Sequence, residues 1–74
     1  MKILTIMFGG HVAQNSIQSI ISDIAAYGNI YEDGHPRVFR VEVFRLSKLE
    51  ALKSQLVAWD RYGFLRWSEE TADK

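Results

Sequence analysis

The stretch Arg37-Val38-Phe39-Arg40-Val41-Glu42-Val43-Phe44-Arg45 decides the fold. Its β-branched and aromatic residues alternate strictly, the pattern of a strand with one buried face and one mixed face. Phe39, Val41 and Val43 form a purely apolar side, while Val38, Arg40, Glu42 and Phe44 form the other. A run so rich in strand formers reads as the central strand of one small sheet, paired on both sides. The apolar side belongs to a core, and the mixed side requires a separate explanation.

Working outward, Lys2 to Phe8 reads as a first strand with Leu4, Ile6 and Phe8 on one face and Ile3, Thr5 and Met7 on the other. Gly9-Gly10 ends it. A helix is expected from His11 or Val12 to Tyr27, with Ala13, Ile17, Ile20, Ile21 and Ile24 at helical spacing and a nearly uncharged polar face opposite. Gly28 stands where a helix end wants a positive φ. Asn29 to Glu32 reads as a short strand and Asp33-Gly34 as the turn into the central strand, with Pro36 at that strand's start. Ser47-Lys48-Leu49-Glu50 has the form of a capping box opening a second helix, whose stripe is Leu49, Leu52, Leu56 and Trp59. Tyr62-Gly63 closes it, Phe64 to Ser68 forms a last strand, and Glu69 to Lys74 has nothing apolar to bury.

The expected order is strand, helix, strand, strand, helix, strand, with two similar halves. A doubled split βαβ of this kind implies an α+β ferredoxin-like sandwich: a four-stranded antiparallel sheet in the order 4-1-3-2, with both helices on one face. Residues 1–68 make the domain, and 69–74 are expected to be a frayed polar tail. The core is then Leu4, Ile6, Phe8, Phe39, Val41, Val43, Leu65 and Trp67 against the helical stripes.

At 74 residues, 47% of them hydrophobic, the chain is long enough for one core and too apolar for disorder. Cysteine is absent, so stability rests on packing or association, and a cytoplasmic location is expected. The apolar start is too short for a signal peptide, and no stretch approaches membrane-spanning length. Formal charge is zero, which disfavours nonspecific DNA coating. The distribution is uneven, with residues 1–34 at −2 and residues 35–74 at +2.

Function is expected on the sheet face that the helices leave open. Tyr31, Arg40, Phe44, Phe64 and Arg66 are the candidate partner-binding residues, aromatics and arginines being the usual anchors of protein contacts. The expectation is a nonenzymatic protein-interaction module, in its specific form an inhibitor or regulator from a phage or mobile element, of the anti-CRISPR type, that docks on a larger complex. A homodimer pairing these faces, or an exposed but idle sheet, is the structural alternative, and a helix face is the alternative contact.

Single-stranded RNA or DNA is another, because aromatics interleaved with arginines can stack bases and neutralise phosphate. Arg37, Phe39 and Phe44 resemble parts of the third-strand pattern of RNA-recognition-motif proteins, although Phe39 falls on the core side here. Gly10 to Gln14 together with Ala26 to Ile30 resembles the ligand-binding half of an ACT domain, which implies a small-ligand-sensing dimer with its site at the Gly9-Gly10 turn.

Catalysis, a cofactor and a metal are not expected. His11 and His35 each adjoin a turn glycine, and Glu32 and Asp33 point apart if they lie in a strand. Nothing near Gly10 supplies the arginine with which acylphosphatases hold phosphate.

Overall fold

The alternation of the central stretch is carried through in three dimensions. The computed structural model describes residues 1–71. Its elements are β1 (Lys2–Phe8), α1 (Gln14–Ile24), β2 (Asn29–His35), β3 (Val38–Val43), α2 (Leu46–Arg61) and β4 (Leu65–Thr71). They form an α+β domain with one antiparallel sheet in the order β2-β3-β1-β4, which is 4-1-3-2 counted from the opposite edge. β3 pairs on both sides, with Leu4↔Val41 and Ile6↔Phe39 toward β1, and with Ile30↔Val41 and Tyr31↔Arg40 toward β2.

One parity of each strand meets the helices. Leu4, Ile6, Phe8, Phe39, Val41, Val43 and Leu65 cluster with Ile17, Ile20 and Ile24 of α1 and Leu49, Leu52 and Leu56 of α2, and Trp67 packs half-buried at the rim. Fully burying such a side chain contributes about 1.5–3 kcal/mol. The three ion pairs among the described residues join surface groups, where solvent and salt screen the attraction. Burial therefore decides the architecture.

Several boundaries differ from expectation, each for a local reason. α1 begins at Gln14: the Val12 N–H donates to Gly9 C=O in a tight turn, and Ala13 is extended and exposed. It ends at Ile24, followed by separate turns in which Ala26 and Tyr27 donate to Asp23 and Ile24. α2 is not opened by a capping box. Leu49 donates to Arg45 C=O, which puts Ser47 inside the first turn, and no side chain caps this end.

Asp33-Gly34 is not the hairpin turn. β2 continues to His35 through a register irregularity at Gly34, whose φ is +78°, and Pro36-Arg37 makes the turn. β4 extends through Glu69 and Glu70 to Thr71 instead of fraying at Glu69, because these residues continue the ladder opposite Leu4, Ile3 and Lys2. The rest of the expected tail, residues 72–74, lies outside the described residues.

The two glycines that end the halves play different parts. Gly63 has φ +80°, as a helix end wants. Gly28 does not have positive φ; its backbone instead passes β3 so closely that an added Cβ would lie 2.2 Å from the Glu42 carbonyl oxygen. Gly28→Ala is expected to destabilise the domain by about 1–3 kcal/mol, since a backbone carbonyl cannot swing aside. Gly10→Ala, which meets nothing within 4 Å, should change stability by less than about 0.5 kcal/mol; urea unfolding of the pair checks both.

Candidate functional site

The open sheet face is built from the other strand parity, and the register fixes its rows. Tyr31, Arg40, Thr5 and Ser68 form the middle row; Asn29, Glu42, Ile3 and Glu70 lie toward the start of β1; and His35, Val38, Met7 and Arg66 lie toward its end. No helix covers these rows, because both apolar stripes are used on the opposite side.

The middle of the face is a polar network. The Tyr31 hydroxyl donates to Glu42 Oε2 at 2.9 Å, and this bond holds the phenol above its ordinary pKa. Arg40 reaches across β1 to Glu70, at 3.9 Å, while its Nε is shielded from solvent without an acceptor. Ile3, flanked by Glu42 and Glu70 in its row, is buried and not exposed as its parity alone suggests.

The apolar surface lies at the ends. Met7 is 53% exposed beside Arg66, and Phe64 stands just beyond them. Phe44, 63% exposed, follows the last residue of β3 at the opposite end. Eight residue steps of β1 separate the levels of Phe64 and Phe44, about 26 Å at strand rise. The structure thus brings Tyr31 and Arg40 together and sets Arg66 near Phe64, whereas Phe44, past the end of β3, lines grooves with Arg45, Leu46 and Lys48 at the start of α2 and stands apart from the other four.

Beyond Arg66 the face runs into a shallow groove of about 360 Å³ lined by Met7, Gly9, His11, Asp60 and Arg66. The His11 ring lies over Gly9, where an added Cβ would come 2.7 Å from Cε1. His35 Nδ1 accepts from the Arg37 N–H. Among the described residues no group of three His, Cys, Asp or Glu side chains is placed to hold a metal ion. Among the described residues no helix is long and apolar enough to cross a membrane.

Arg37 organises the groove in a way its position at the start of the central stretch does not announce. Its Nη1 donates to both Gly9 C=O and Val12 C=O at 2.8 Å, and its own carbonyl accepts from the Phe8 N–H. One guanidinium therefore fixes the β1–α1 loop. Arg37→Ala should cost about 1–3 kcal/mol in chemical unfolding. Arg37→Lys should recover only part of this, because a compact ammonium lacks the guanidinium's spread of donors. Amide exchange at Val12 should quicken in both.

Glu69 ties three elements on the helix side, at 2.7 Å from Lys53 of α2 and 3.7 Å from Lys2 of β1. The Lys53 hydrogen bond lowers the Glu69 pKa and raises that of Lys53. A carboxylate depressed in the native state stabilises above its ordinary value of 4.5, and that contribution fades as pH falls through the native pKa. The raised Lys53 contributes below 10.5 and fades as pH rises through its native pKa. Glu69→Gln should therefore flatten both limbs of the stability profile, measured by thermal unfolding across pH.

No protein-family model, no curated protein and no solved structure matches this chain.

Proposed function

We propose that this chain is a small ferredoxin-like module without enzymatic activity that works by docking on a protein through its open sheet face. The observation that carries this reading is the distribution of anchors: exposed Met7, Tyr31, Phe44 and Phe64 with Arg40 and Arg66, spread along the length of the sheet. A standard protein contact covers about 800 Å² on each partner, some 28 Å across. A protein can therefore engage Phe44 and Phe64 at once, whereas a small ligand reaches only one end.

The same face carries Glu42 and Glu70, which balance Arg40 and Arg66 and oppose a phosphate backbone. This favours protein over single-stranded nucleic acid. In its specific form the module occupies a surface of a larger assembly and blocks it, as a phage-borne inhibitor of the anti-CRISPR type does.

The test is affinity capture from the source cells with wild type, with Met7→Glu/Arg40→Glu/Phe64→Ala, and with Gln14→Ala/Gln18→Ala on the first helix. Wild type and the helix variant should retain the same protein, and the face variant should lose it while keeping its circular dichroism. Retention by the face variant, or recovery of RNA in place of protein, would overturn the reading.

A further inference from the structure

Of the two sheet edges, β4 is the one with an unbroken ladder and with charges of both signs, Arg66 against Glu69 and Glu70. β2 is interrupted between Glu32 and His35 and carries Glu32 beside Asp33, so two β2 edges would bring carboxylates together. β4 holds an unbroken register with β1 from Leu65 to Thr71 and contains no proline. Among the described residues no strand lies outside it.

Its backbone is oriented for a partner. The Gly9 N–H donates to the Phe64 carbonyl at 3.1 Å, so Phe64 turns its C=O toward β1. Alternation along the antiparallel ladder then turns Arg66, Ser68 and Glu70 inward and leaves the N–H and C=O groups of Leu65, Trp67 and Glu69 facing out.

We propose that a second copy of this chain pairs antiparallel along β4 about a two-fold axis at Ser68, making one continuous eight-stranded sheet. The charges select this register. Centred on Ser68, Arg66 lies opposite the partner's Glu70 and Glu70 opposite the partner's Arg66, in positions where facing side chains come closest. The outward groups of Trp67 then exchange hydrogen bonds with those of the partner's Glu69. Registers centred on Arg66 or Glu69 set like charges face to face, and one centred on Trp67 leaves both ion pairs unmade.

The second helix flanks the same edge. The Lys53 bridge to Glu69 places that flank of α2 over β4, and Asp60 lies beside Leu65 in the groove at the other end. Val57, between them along α2, is 50% exposed. It lines a groove of about 500 Å³ along the outer side of α2.

Seven strand residues span about 24 Å, and the domain is 18 Å thick. Each copy thus presents an area on the order of 430 Å², about 860 Å² for the pair, which is below the roughly 1,000 Å² of a stable specific interface and fits a weak, transient contact. The dimer is accordingly concentration-dependent. It extends the proposed function without depending on it, since it uses the sheet edge and, of the open-face anchors, engages Arg66 alone.

Light scattering and sedimentation over roughly 10 μM to 1 mM test the pair. Wild type should approach twice the 8.5 kDa chain mass. Arg66→Glu and Glu70→Arg should each weaken dimerisation by roughly tenfold or more, because two opposite-charge pairs become two like-charge pairs. An equimolar mixture of the two variants should regain the dimer mass, since each then faces its complement, and this recovery shows that both are folded. A wild type that stays monomeric throughout, single variants that dimerise like wild type, or a mixture that remains monomeric would overturn the proposal. None of those results bears on whether the open face captures a different protein.

Discussion

The structure depends on one constraint: a single parity of the sheet is buried beneath two helices. Leu4, Ile6 and Val41 at the centre of the β1–β3 pair are fully buried against Ile17, Ile24, Leu52 and Leu56. A one-residue slip of β3 would carry Arg40 and Glu42 into that core and expose Phe39 and Val41, so register and burial enforce each other. The open face and the outward backbone of β4 are the remainder of that choice. Residues that cannot serve the core are displayed on the other side, where they hold a shape without being needed to make it.

Local backbone contacts fasten this frame at its two ends. At one end, Arg37 holds the loop after β1 by its carbonyls; at the other, Gly28 lets the chain leave α1 against the backbone of β3. Both contacts join segments far apart in sequence.

The strands were largely legible because a period of two survives in a short chain. The run Phe39, Val41, Val43 reports burial directly, and the spacing of Ile17, Ile20 and Ile24 does the same for a helix. Element ends were less legible. Ser47 and Glu50 have the composition of a cap, but the helix is set by the Leu49 N–H reaching Arg45, a backbone event that side-chain identity does not reveal. Glu69 and Glu70 looked like a solvated tail because their reason for being in a strand lies in β1 and Lys53. The candidate face was correct in parity for Tyr31, Arg40 and Arg66, yet alternation says which side a residue takes and nothing about how far along the sheet it stands, which is why Phe44 and Phe64 fall at opposite ends.

The most direct measurement of the account is residue-resolved amide hydrogen exchange along β4 at low and high protein concentration. When dilute, Arg66, Ser68 and Glu70 should be protected by β1 while Trp67 and Glu69 exchange freely; when concentrated, Trp67 and Glu69 should gain protection, and no residue of β2 should. A dilute sample in which odd and even residues exchange alike would contradict the parity on which the fold is built. Protection gained at β2, or nowhere, would contradict the assignment of β4 as the edge that a second copy completes.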